Sequence, residues 1–244
     1  MPNRDRWEEN PEPLQLGEGE IHVWRANLRQ GGGVLGQLES TLAPDEKERA
    51  RRFVHRQDRE DFMAARGILR ELLGRYTGRE AAEVEFEYGA RGKPSLREGR
   101  TVQFNISHSH GMALLAFSAE RSLGVDVELI REDFGGEEIA ARYFSGREIQ
   151  ELRALPASLR AEGFFQCWTR KEAYIKARGE GMQIPLDSFS VSLTPGQPER
   201  LESADSEHWS LRALRPDARY VGAVVGEGSG WELRCGEWKA GESR

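Results

Sequence analysis

The stretch "SLGVDVELI", Ser122 to Ile130, alternates apolar and other side chains along its length. That period of two belongs to a β-strand. Val125, Val127 and Leu129 share one face of it, and Asp126 and Glu128 share the other. Two carboxylates side by side repel, and any burial strips each of hydration. Either that face meets water, as on a half-exposed antiparallel strand, or basic groups or a metal ion compensate it.

The strand sits in a chain of 244 residues, 38% hydrophobic and 31% charged, with a formal net charge of −6. Such a chain is globular and long enough for one large domain or two smaller ones. The overall negative charge argues against a general nucleic-acid binder. No apolar run reaches the ~20 residues of a membrane helix, and residues 1–20 lack the apolar core of a secretory signal. The two cysteines, Cys167 and Cys235, form no metal-type cluster, so reduced thiols in a cytoplasm are expected.

Outward from the central strand, the elements repeat. Before it come a strand at Ile21–Leu28, a short helix at Ala43–Phe53, and a longer helix capped by Asp58 and running to about Tyr76. A half-buried strand at Glu83–Tyr88, a loop at Ala90–Leu96 and the strands "TVQFNIS" and "GMALLAFS" follow. After it come a short helix ending at Phe144, a longer one from about Ala161 to Arg178, and strands near "FSVSL", "HWSLRAL" and "RYVGAVVG". "ARRF" (Ala50–Phe53) and "ARYF" (Ala141–Phe144) mark the same point in each series, about 90 residues apart. The expected organisation is an arm at 1–20, one α+β half at 21–121, a similar half at 122–226, and a tail at 227–244. A site is then expected in the cleft between the halves.

Four groups of residues could carry chemistry. On the second long helix Glu172 and Lys176 stand one turn apart, a spacing that also describes an ordinary surface ion pair. Together with Asp126 and Glu128, Glu172 would complete an oxygen-donor set of the kind Mg²⁺ prefers. "FNISHS" places Ser107 and His108 at a strand end, suited to hydrogen-bonding an anion. No GxSxG elbow supports a serine hydrolase, and His108 and His110 lack the further ligands of a zinc site. Lys93 is braced between Gly92 and Pro94, as a phosphate contact would be. Arg49, Arg52 and Arg56 make a basic stripe that reads equally as a solvated helix face.

The order "GKP", "FNISHS", "GVDVE", "FxxxWTRKEAYIK", "GxGM" resembles that of the Sfp-type 4′-phosphopantetheinyl transferases. The resemblance spans about Pro44 to Leu193 and includes "KERARRF" and "FSGRE" (Phe144–Glu148). It implies two similar α/β halves related by a pseudo-twofold, in a single chain acting as a pseudo-dimeric monomer, with coenzyme A between them. Asp126, Glu128 and Glu172 would hold Mg²⁺ with the coenzyme A pyrophosphate. Lys176 would contact the α-phosphate, and Lys93, Pro94, Ser107 and His108 would line the nucleotide. Arg49 would meet the 3′-phosphate. Glu46 stands where some relatives carry a second basic residue, a loss that Arg66 could offset. The activity implied is transfer of 4′-phosphopantetheine to a serine of an apo acyl or peptidyl carrier protein, releasing adenosine 3′,5′-bisphosphate. Glu172 or Glu148 would take the serine proton. A metal-dependent nuclease is the rival, disfavoured by the absence of a long basic track. Carrier docking is expected beside the cleft at "REDFGGEEIAARYF", with Arg142 and Arg147 facing acidic side chains. Phe144 there suits the core face of the short helix better.

Overall fold

The computed structural model describes residues 7–9, 14–89, 92–97, 102–132, 136–180 and 183–241. Its first sheet holds β1 (Glu8–Glu9), β2 (Glu20–Asn27), β5 (Gln103–Ser109), β6 (Met112–Ser118) and β12 (Glu232–Trp238), in the order β1-β12-β2-β6-β5. The second holds β7 (Leu123–Leu129), β10 (Trp209–Asp217) and β11 (Tyr220–Glu227), in the antiparallel order β10-β11-β7.

Period-two alternation explains how these sheets stack. On β2, Ile21 and Val23 pack with Val125, Val127 and Val224 of the second sheet. Trp24 and Ala26, on the opposite face, pack with α3 (Arg56–Thr77) through Ile68, Leu69 and Leu72. On β11, Val221, Ala223 and Val225 pack instead with α6 (Ala157–Arg178). The result is four layers: α3, the first sheet, the second sheet and α6. Both inner sheets are covered on two faces, which is why β6 and β11 are almost wholly buried.

The element order repeats as the sequence suggests. After β2 come α1 (Gly32–Ser40), α2 (Pro44–Arg51) and α3, and then β5 and β6. After β7 come α4 (Glu137–Tyr143), α5 (Gly146–Ala154) and α6, and then β10 and β11. Each long helix has 22 residues and ends on a glycine at φ 69°, Gly78 or Gly179. That left-handed cap turns the chain back without the steric cost a side chain would meet.

Several boundaries differ from expectation. Asp58 lies in the first turn of α3, one turn inside His55, so its charge favours the helix N-terminus without capping it. Helix α6 begins at Ala157. Of the expected strand at Glu83–Tyr88 only β3 (Phe86–Tyr88) forms, paired with β4 (Pro94–Leu96) from the segment expected as loop. The "FSVSL" strand shrinks to β8 (Ser190–Val191), paired with β9 (Leu201–Glu202). The tail at 227–244, expected outside both halves, inserts β12 parallel to β2, and the arm at 1–20 adds β1 beyond it. Trp231 and Trp238 of the tail are buried in separate parts of the core.

One close approach sets the geometry of the second half. A Cβ on Gly124 would fall 2.2 Å from Ala173 O and 2.3 Å from Ala177 N, so α6 lies directly on β7. Gly124→Ala must push helix and strand apart, at an expected cost of about 3 kcal/mol or more. Urea unfolding measures this, and an unchanged midpoint would contradict the packing.

Candidate active site

Three polar residues of β5 determine where the acids of β7 lie. Asn105, Ser107 and Ser109 alternate along the strand, while Phe104 and Ile106 turn to the α3 core. Strands β5 and β7 belong to different sheets, and these side chains bridge them. Asn105 Oδ1 accepts from Val125 N at 2.9 Å, Ser107 Oγ donates to Asp126 Oδ1 at 2.7 Å, and Ser109 Oγ donates to Glu128 Oε2 at 2.6 Å.

Helix α6 closes the cluster. Lys176 Nζ donates to Asp126 Oδ1 at 2.7 Å, Ser107 Oγ at 3.1 Å and Val125 O at 3.3 Å. Asp126 is buried, and its Oδ2 has no hydrogen-bond partner. Burial raises the pKa of Glu172, and Asp126 and Glu128 push it further up against the opposing pull of Lys176. Burial also raises Glu128, with Asp126 adding to it and the Ser109 bond opposing it. The acids therefore carry an unbalanced negative charge and an orphaned buried oxygen. These hard oxygen donors fit a divalent cation. Among the described residues, no group of three or more His, Cys, Asp or Glu side chains is drawn together tightly enough to hold a metal ion.

The remaining expected site residues fall in three places. Ser107 stays at the cluster, whereas His108, of the same strand parity as Phe104 and Ile106, lies on the α3 side of β5, where Asp61 is its strongest charged neighbour. His108 is open to solvent on one side, yet lost hydration lowers its pKa against the opposing pull of Asp61. Lys93 and Pro94 line a cavity of ≈ 450 Å³ with Gly89, Ser95, Phe104 and Gly179. The Lys93 ammonium, its pKa lowered by burial, donates to Lys176 O at 3.0 Å and Leu123 O at 3.3 Å. It thus ties β4 to the end of α6 and the start of β7. Arg49 is exposed on α2 with its guanidinium 5.3 Å above the Phe62 ring. Arg66 is buried against Glu46, at 3.1 Å, and beside Tyr88 Oη, at 3.3 Å. Glu46 also pairs with Arg70 at 2.7 Å, so the two arginines share one carboxylate.

Glu148 stands apart from this cluster. It is wholly buried, paired with Lys171 at 2.8 Å, and accepts from Ser145 N and Val191 N at 2.7 Å each. Lys171 also donates to Leu186 O and Phe189 O, so these two charges hold the base of α6 to the loop before β8. Of the expected docking residues, Phe144 is buried in the core and Arg147 bonds Glu202; residues 133–135 of that segment lie outside the described residues. Sequence reasoning missed the bracing role of Asn105 and Ser109. The N-x-S-x-S alternation on an edge strand was the available signal.

Two family models match the chain. One, of the 4′-phosphopantetheinyl transferase superfamily, covers residues 122–225, and the other, of the N-terminal part of 4′-phosphopantetheinyl transferases, covers residues 33–120. The chain is 42% identical to the 4′-phosphopantetheinyl transferase HetI of Nostoc sp. over 229 residues, 93% of this chain and 95% of that one. It is 32% identical to the 4′-phosphopantetheinyl transferase Sfp of Bacillus subtilis, over 68% of this chain and 73% of that one. It is 27% identical to the human L-aminoadipate-semialdehyde dehydrogenase-phosphopantetheinyl transferase, over 76% and 67% respectively. The chain belongs to the 4′-phosphopantetheinyl transferase family, and it is a transferase.

The raised pKa values of Glu128 and Glu172 have a signed consequence. An acid whose pKa is higher folded than unfolded stabilises the fold while protonated, and that contribution is lost as pH rises through the folded value. Without divalent cations, Glu172→Gln should therefore raise Tm by a few degrees at pH 8, a gain that closes below about pH 4.5. A thermal-shift series across pH tests this; a gain independent of pH would contradict the repulsion.

Proposed function

We propose that the protein transfers 4′-phosphopantetheine from coenzyme A to a serine of an apo acyl or peptidyl carrier protein, with Mg²⁺ held by Asp126, Glu128 and Glu172. The observation that carries this reading is the buried Asp126, paired with Lys176 of α6 and with its second oxygen left unpartnered, while Asp126 and Glu128 both act electrostatically on Glu172. When bound, Mg²⁺ supplies positive charge against the diphosphate.

The chain's own residues do the rest. Lys93 and Pro94 place the nucleotide in the cavity at the end of α6, and His108 offers a hydrogen bond at its phosphates. The exposed Arg49 meets the 3′-phosphate. Arg66 assists less, because Glu46 already occupies it. The carrier serine Oγ bonds to the β-phosphorus as the bond from that phosphorus to the bridging oxygen breaks. That oxygen leaves with its electron pair on adenosine 3′,5′-bisphosphate, and Lys176 releases Asp126 to meet the departing negative charge. Glu172 takes the serine proton, directly or through a water. Burial and the neighbouring Asp126 and Glu128 raise its pKa, which makes its carboxylate a stronger base than an ordinary one. Glu148 is the weaker candidate, because Lys171 and two backbone N–H groups already claim its oxygens.

The two repeats form a pseudo-twofold pair within one chain, so a monomer carries a complete cleft. No helix among the described residues is long and apolar enough to cross a membrane, and neither Cys167 nor Cys235 is in a disulfide, which suits a reducing cytoplasm. Arg142 on α4 remains the better placed of the two expected docking arginines.

Incubating the protein with coenzyme A, Mg²⁺ and a panel of apo carriers should add one phosphopantetheine mass to at least one carrier. A panel left unmodified would contradict the reading. Glu172→Gln should lower kcat by about 10²-fold or more at saturating Mg²⁺ and coenzyme A. Arg49→Ala should narrow the preference for coenzyme A over its 3′-dephospho form, and an unchanged ratio would remove Arg49 from that contact.

A further inference from the structure

We infer that Ser109 is a positioning residue that holds the Glu128 carboxylate in place for a divalent cation; the inference rests on the metal reading above. Its hydroxyl lies 2.6 Å from Glu128 Oε2, a short bond of the charge-assisted kind. The same Oγ lies 2.9 Å from His110 Nδ1. With the hydroxyl proton given to Glu128, His110 Nδ1–H becomes the donor to Ser109. Both the donor and an acceptor position of the hydroxyl are then used, and its rotation is fixed from two sides.

His110 is itself held. It takes φ 49° in the turn between β5 and β6, a conformation few residues other than glycine adopt. Its carbonyl accepts from Tyr220 Oη at 2.8 Å. Next to it, Gly111 O accepts from Leu28 N at 2.7 Å. The bracing thus runs from β2 and β11 through the hairpin turn to Ser109, and from Ser109 to Glu128. Glutamate has three rotatable bonds, and Asp126 on the same face repels it. A fixed donor on one oxygen offsets that repulsion and fixes the plane of the carboxylate before any ligand arrives. Partners of this kind, one bond removed from a metal, typically change affinity by about 10–100-fold.

The position on the strand sharpens the inference. Asn105 belongs to the same ladder but bonds a backbone N–H, so it braces the strand without touching an acid. Ser107 shares Asp126 with Lys176. Ser109 acts on an acid with no lysine in contact.

The test is Mn²⁺ binding to the full-length protein, followed by electron paramagnetic resonance, with and without coenzyme A. Ser109→Ala should weaken Mn²⁺ about tenfold or more, and at saturating Mn²⁺ the KM for coenzyme A should stay within twofold of wild type. Ser109→Thr, which keeps the hydroxyl, should restore most of the affinity. Asn105→Ala should lower Tm while leaving Mn²⁺ affinity within twofold. If Ser109→Ala does not fold, Ser109→Cys, whose thiol is a much weaker donor, should show the same loss. Wild-type Mn²⁺ affinity in Ser109→Ala, or an equal loss in Asn105→Ala, would overturn the positioning role. Asp126→Ala separates the two readings. If wild type binds Mn²⁺ and Asp126→Ala does not, the metal reading stands and only the Ser109 inference is in question. If the wild-type protein binds no Mn²⁺, or Asp126→Ala binds it equally, the metal reading itself fails.

Discussion

The bridge between β5 and β7 is the constraint on which the site depends. Two sheets meet edge to edge there without backbone pairing, and Asn105, Ser107 and Ser109 supply the hydrogen bonds a ladder would have made. The bridge sets two carboxylates side by side in a half-dry cleft. Such an arrangement is costly for a protein with no cation to receive. Lys176 relieves part of that cost through its bond to Asp126, and the serines relieve more, but one buried oxygen of Asp126 remains unpartnered.

The neighbouring elements make the bridge possible. Gly124 brings α6 against β7, which sets Glu172 and Lys176 over the acid face of the strand. Lys93 fastens the end of that helix to β4 in the other half. Glu148 and Lys171 fasten the other face of the helix to the loop before β8. A buried ion pair of this sort adds little net stability, yet breaking it by removing one partner costs several kcal/mol, about 3–5. Glu148 therefore holds the helix that presents Glu172, although the sequence placed it among candidate bases.

The alternation in "SLGVDVELI" made the central strand legible, and the Glu172–Lys176 spacing made the helix face legible. The repeat of strand, short helix, long helix and strands was also legible, because amphipathic periods and the matching words "ARRF" and "ARYF" are local signals. The strand in the tail was not. "ELRCGEW" alternates only weakly, and its parallel pairing with β2 joins residues some two hundred positions apart. Arg66 and Lys93 looked like free basic groups because a sequence cannot say which carboxylate or carbonyl a long side chain will find. The fold brought Glu46 to the first, and the ends of β7 and α6 to the second.

The central claim is that the acids of β7 and α6, with a divalent cation, receive the diphosphate of coenzyme A. Calorimetric titration of coenzyme A into the wild-type protein and into Asp126→Asn, each with and without Mg²⁺, tests it most directly. The account predicts that Mg²⁺ tightens coenzyme A binding to the wild-type protein and has no such effect on Asp126→Asn. Wild-type binding indifferent to Mg²⁺, or an equal tightening in both proteins, would contradict it.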